Sequence, residues 1–330
     1  MKKLSGWQKV GLFAGVGCFS IIAIAVVGFA IAVAYARSTL ANLGDTTPKR
    51  VERSIALPGT TAEAPDPTVK PGTAMSGAET TSGGPMKLAL ELQEGTFVIK
   101  PGAAGSRVEV EGEFSEALYA LTEQTDTVGG STRTTVRFRS KAPAWARMLA
   151  GVGNGDDNRP RLTVSIPTGV PIDLSLNVSM GESRIDLGGL TLSELGLDLA
   201  MGNHEVDFKE PVAGGMERFR LNARMGNVSV ENLGNARAKS IDTSGSMGNV
   251  TADLGGEWRQ GSEAELSFTQ SMGEVRLSVP SKVRLEADVR DSNGKHESRG
   301  ADADQTTDPK APLLRVRVST SMGESRVTRY

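Results

Sequence analysis

The chain has one cysteine and two histidines in 330 residues, and only 5% of its residues are aromatic. Cys18 lies inside an apolar N-terminal run, so the remainder has no disulfide, no thiolate nucleophile and no Cys-based zinc site. His204 and His296 are too few for a histidine-built metal centre or acid–base pair. No run of Lys or Arg exceeds two residues, and the formal net charge is −2. A nucleic-acid binder needs a concentrated basic surface, and none is present. Tyr119, Trp145, Trp258 and Tyr330 are too scattered to form sugar-stacking platforms. No Walker A, dinucleotide or G-x-S-x-G fingerprint occurs, so no cofactor is expected.

Charge is also missing from residues 10–36, VGLFAGVGCFSIIAIAVVGFAIAVAYA. As a helix this run would extend roughly 40 Å, more than the ~30 Å hydrocarbon core of a bilayer. Lys2, Lys3 and Lys9 precede it and Arg37 alone follows closely. The spacing predicts a single-pass anchor in the cell membrane, with residues 1–9 cytoplasmic and the rest extracytoplasmic. Ala34-Tyr35-Ala36 has the form of a signal-peptidase site, but the apolar run is about twice the ~7–15 residues of a cleaved signal. Gly11, Gly15, Gly28, Ala32 and Ala36 form a small-residue stripe that would let two such helices approach closely, as in a homo-oligomer. Six of the fifteen prolines then fall between Asp45 and Pro85, mixed with Thr, Ala, Gly and Ser. Without an apolar period, residues 37–85 read as a flexible linker.

The remaining residues, 86–330, carry an internal repeat. Met-Gly recurs at Met180-Gly181, Met201-Gly202, Met225-Gly226, Met247-Gly248, Met272-Gly273 and Met322-Gly323, at intervals of 21, 24, 22, 25 and 50 residues. The last interval reads as two periods, with Asn293-Gly294 as a degenerate member. Alternating segments such as LSLNVS and LGLDLA precede each pair, and others such as SRIDL and HEVDF follow it. Period-two alternation marks strands, and the glycine marks a corner or bulge.

Two architectures fit: a β-solenoid with one coil per repeat, and an antiparallel sandwich of hairpins. One residue pair repeated at one position favours the solenoid, with Met expected to fill an inner gap and Gly to allow the corner. The following column, Glu182, Asn203, Asn227, Asn249, Glu274 and Glu324, keeps neutral amides at its centre, where stacked carboxylates would repel. The fold class is therefore mainly β, a single-stranded β-solenoid or β-helix-like repeat domain behind one transmembrane helix and a disordered linker. Residues 140–160 interrupt it: APAWARML has the composition of a helical turn, and 151–158 of a loop.

Leu162 to Leu199, LTVSIPTGVPIDLSLNVSMGESRIDLGGLTLSELGLDL, and Ser271 to Pro280, SMGEVRLSVP, resemble the toastrack-type domain at the C-terminus of LiaF-like cell-envelope stress proteins. The resemblance implies a β-helix-like, adhesin-like bacterial domain linked to envelope-stress signalling, and it supplies no catalytic residues. Such proteins usually carry several membrane helices, whereas this chain has one apolar run.

Asp173, Asp186, Asp198 and Asp207 alternate with aliphatic residues and read as a solvated outer face. Asp156-Asp157 and Asp302-x-Asp304 reproduce neither an EF-hand nor a β-roll calcium repeat, so no metal is expected. Taken together the residues describe a membrane-anchored, non-enzymatic envelope protein that binds, scaffolds or senses stress. Its expected partners are the bilayer, through residues 10–36, and an envelope protein. The alternatives are an adhesin-like surface protein that self-assembles or binds envelope polysaccharide, and a carbohydrate-active β-helix enzyme.

Overall fold

The structure is a computed structural model that describes residues 26–35, 38, 47–57, 84–128, 131–142, 159–290, 306 and 308–330. Among the described residues, thirteen strands form one sheet. They are β1 (Lys49–Ala56), β2 (Met86–Ala104), β3 (Arg107–Phe114), β4 (Tyr119–Val128), β5 (Ser131–Ser140), β6 (Arg161–Thr168), β7 (Ile172–Asp186), β8 (Leu192–Asp207), β9 (Met216–Glu231), β10 (Ala238–Asp253), β11 (Glu263–Val279), β12 (Arg284–Arg290) and β13 (Leu313–Arg329).

The spine of the molecule is the parallel run β2-β7-β8-β9-β10-β11-β13. Each member is one long strand of two arms. The first arm buries alternate aliphatics, as at Leu174, Leu176 and Val178; the second begins again out of phase, at Ser183 and Ile185. Leu195, Leu197 and Leu199 are likewise followed by His204 and Val206. The glycine step re-phases the alternation so that both arms turn their apolar side inward. One cluster of buried side chains fills the space between them. Aromatic contacts cross this space: Phe208, beyond the second arm of β8, meets Phe219, in the first arm of β9, with ring centroids 5.9 Å apart. Loops close the open side with Leu187, Leu190, Val212, Leu233, Ala236 and Leu254, all buried. Each repeat is therefore one flattened coil stacked on the previous one, and parallel pairing rules out the sandwich of hairpins for this part of the chain.

At β2 the spine forks. Its first arm pairs with β5, which carries β4 antiparallel; its second arm pairs with β6, which carries β3 and then β1 antiparallel. Phe138 holds the fork together, packing on Phe97, Phe114 and Tyr119 at 6.3, 5.0 and 5.2 Å.

Two expectations need correction. The segment expected as linker, 37–85, contains β1, and Ile55, with Leu57 just beyond the strand, joins the core; one buried aliphatic pair and eight ladder partners on β3 suffice to order it. Residues 58–83 lie outside the described residues. The 50-residue interval also does not place an intermediate coil between Met272 and Met322. β13 lies directly on β11, with Met272 opposite Met322, and β12 pairs on the far side of β13. Asn293-Gly294, and residues 143–158 of the expected interruption, lie outside the described residues. Most of the expected membrane span lies outside the described residues; 26–35 are helical, and among the described residues no helix is long and apolar enough to cross a membrane.

Candidate functional site: the outer ridge of the rack

The bends of successive strands stack into a ridge. Gly181, Gly202, Gly226, Gly248, Gly273 and Gly323 pair in register and have φ between 120° and 150°. This region is closed to most side chains. An added Cβ on any of them would also overlap the carbonyl oxygen of the glycine one rung before it. The column begins at Gly95 of β2 (φ 148°), on which Gly181 sits. That rung escapes a search for Met-Gly because Glu94 precedes it; the re-phasing from Leu88, Leu90 and Leu92 to Phe97 and Ile99 is the feature that reveals it.

The methionines face outward, not into an inner gap as expected. Met180, Met201, Met225, Met247, Met272 and Met322 are 41, 37, 41, 43, 39 and 60% exposed. The reason is geometric: the re-phasing occurs at the Met-Gly step, so the methionine that alternation would turn inward lies on the convex side of the bend. One residue past glycine, the amides form a ladder. Asn227 Nδ2 donates to Asn203 Oδ1 and Asn249 Nδ2 to Asn227 Oδ1, both at 3.1 Å, and the backbone N–H of Glu274 donates to Asn249 Oδ1 at 3.2 Å. Asn227→Asp keeps the acceptor and removes the donor to Asn203. The expected cost is about 1 kcal/mol at pH 7, read as a lower urea midpoint; an unchanged midpoint would show the ladder to be energetically idle.

Behind the ridge, polar side chains occupy inward positions. The Ser183 hydroxyl and His204 Nδ1 are 2.8 Å apart on neighbouring rungs, and His204 Nε2 has no partner among the described residues. Burial pushes His204 down to about 4. Gln270 Nε2 donates to the carbonyls of Gly248 (2.9 Å) and Met272 (2.8 Å), and its amide fills the space left at Gly245, where any Cβ would overlap it. Thr320 and Ser325 pair across the last bend at 3.1 Å. On other rungs the same inward positions hold aliphatics, such as Val228 and Val250 in the column of His204 and Val178 and Leu199 in that of Gln270.

Both outer faces are polar. Asp186, Asp207, Glu231 and Asp253 form one column of the second arm. Backbone N–H donors from Gly188 and Gly255, Lys209 at 3.1 Å from Asp186, Asn232 on Asp207 and the Tyr330 hydroxyl on Asp253 offset the repulsion. Asp198 pairs with Arg224 of the next rung at 3.4 Å. Asp173 is only half exposed, and burial together with Glu194 raises its carboxyl above the usual range. Trp258 donates from Nε1 to the Leu254 carbonyl and packs on the core, and Tyr119 is buried. Asp156-Asp157, Asp302, Asp304 and Trp145 lie outside the described residues. Among the described residues, no group of three or more His, Cys, Asp or Glu is placed to hold a metal ion. An open groove of about 480 Å³ on the first-arm face is lined by Asp242, Glu265, Glu286, Asp288, Arg315 and Arg317, a set of mixed charge.

Residues 78–231 match the model of the N-terminal domain of toast_rack, DUF2154. No curated protein matches the chain. Among solved structures, the chain is similar to a candidate cell adhesion protein from Clostridium sporogenes, with 10% identity and a TM-score of 0.37 over 86% of this chain and 100% of that one. It is also similar to a candidate adhesin from Bacteroides fragilis, at 12% identity and 0.37 over 86% and 97%. A candidate lipid binding protein from Parabacteroides distasonis gives 13% and 0.36 over 86% and 98%. The family match and the stacked, bent strands agree over residues 78–231, which form a toast-rack β-repeat, and the same coil continues past them to β13.

Proposed function

We propose that this protein is a non-enzymatic component of a bacterial cell envelope, anchored by residues 10–36, whose rack presents a repeated binding surface outside the cytoplasm. The observation that supports this reading is the common register that carries every glycine bend from β2 to β13. Each rung displays the same outer columns, so the domain offers a long, stiff, repetitive surface on which a protein partner can lie. Charges on neighbouring rungs are already matched, as in Arg184–Glu205 and Lys239–Glu217. Exposed pairs of this kind contribute only about 0–1 kcal/mol each, and they leave the surface without a strong field of one sign.

The anchor is tested by fractionation. Full-length protein is expected to pellet with membranes through an alkaline carbonate wash, and deletion of residues 10–36 to release it. A wild-type chain left in the supernatant would remove the anchored reading. Sidedness is read with Glu205→Cys in a Cys18→Ser background: an impermeant maleimide should label it in intact cells, and labelling only after lysis would reverse the proposed orientation.

A further inference from the structure

Six methionines occupy one exposed column on six consecutive rungs, β7, β8, β9, β10, β11 and β13. The inward columns behave differently. One runs Leu176, Leu197, Leu221, Thr243, Phe268 and Val318, so even the packed interior accepts several side chains at one register position. The ridge methionines are only partly covered, 37–60% exposed, so packing constrains them less than it does the interior, yet the residue does not change. What methionine has and leucine, valine or phenylalanine lack is a thioether sulfur.

From this column we infer that the ridge is a binding site for a soft monovalent metal ion, Cu(I) by chemistry, held by thioethers of neighbouring rungs. Thioether ligands select Cu(I) over the hard and borderline divalent ions. Neighbouring rungs of a ladder stand about 4.8 Å apart. Two bonds of about 2.3 Å, the length of a zinc–thiolate bond, laid end to end come to nearly the same length. Side chains leaving adjacent rungs in parallel can therefore share one ion between two sulfurs, and the three torsions of methionine allow a third to close in. The carboxylates beside the column are partly engaged: Glu274 and Glu324 pair with Arg276 and Arg326 at 2.6 and 3.3 Å. Nothing in the inference depends on the membrane anchor or on a protein partner.

The test uses the full-length chain in detergent with Cys18→Ser, because the thiol would itself take Cu(I). Cu(I) is supplied without oxygen as its bicinchoninate complex, and Ag(I) serves as a redox-inert probe. The protein is expected to withdraw Cu(I) from the chelator, and Met201→Leu, Met225→Leu and Met247→Leu together to weaken this by at least on the order of tenfold, since losing even an outer partner of a metal site costs that much. Leucine keeps the ridge apolar, so a lost apolar contact would not produce the result. A measurement on the unsubstituted ridge guards against a misfolded variant: with methionine methyls labelled with carbon-13, Ag(I) should shift the ridge resonances, and Ca(II) should not. No withdrawal of Cu(I), equal withdrawal by the leucine variant, or Ag(I) shifts confined to Met1, Met75, Met86, Met148 and Met216 would each overturn the inference.

Discussion

Gly226→Ala is expected to abolish cooperative folding of the rack or to destabilise it by more than about 3 kcal/mol. Two costs combine at this residue. A side chain at φ 133° is strained, typically by about 1–3 kcal/mol, and its Cβ would overlap the Gly202 carbonyl oxygen. That oxygen belongs to the ladder, so it cannot withdraw without parting β8 from β9. In a stacked repeat each rung is stabilised mainly by its neighbours, so a wedge in the middle separates two halves that are each short of contacts. Gly214→Ala is the control: φ there is 82°, and nothing lies within 4 Å of the added Cβ. It should cost about 1 kcal/mol, the strain alone. Denaturant unfolding followed by circular dichroism separates the cases; equal costs at the two sites would refute the interlocking of the glycine column.

The second large effect is a loss of stability in acid that originates at His204. Its folded value is about 4, against about 6.5 for an unperturbed histidine. Above pH 6.5 the side chain is neutral in both states and costs nothing. Between 6.5 and 4 the unfolded chain takes up a proton that the folded chain refuses, so stability falls as pH falls, and below 4 the loss levels off. The full loss is about 3 kcal/mol, of which about 2 is reached by pH 5, where most carboxylates remain charged. His204→Val supplies the residue found on the next two rungs, Val228 and Val250. It strands the Ser183 hydroxyl, a cost that does not vary over this pH range. The difference in unfolding free energy between wild type and variant should therefore shift by about 2 kcal/mol in favour of the variant between pH 7.5 and pH 5. A difference that stays constant would place the acid sensitivity elsewhere.

How far the residues announce the structure varies along the chain. The Met-Gly period and the alternation around it are properties of neighbouring residues, and they survive in the rungs β7 to β11. The Asn ladder follows from the same register, because an in-register stack brings the residue after glycine onto its counterpart. The first rung, at Glu94-Gly95, is harder to find because it keeps the re-phased alternation without the methionine. β1 is harder still: KRVERSIA has few apolar residues, and its order comes from β3, which lies more than fifty residues away in the chain.

Residue order alone specifies the local elements: a long apolar run, alternating strands, a glycine wherever the backbone must bend, and a repeat close to one coil in length. These depend on spacing within a few residues and on steric limits at single positions. Packing of distant segments settles which way the bend turns its methionines, that β13 rather than β12 lies on β11, and that a histidine lies in the core beside a serine. Each of these depends on which strand lies next in space, and a ladder partner twenty or fifty residues distant leaves no mark on the residues beside it.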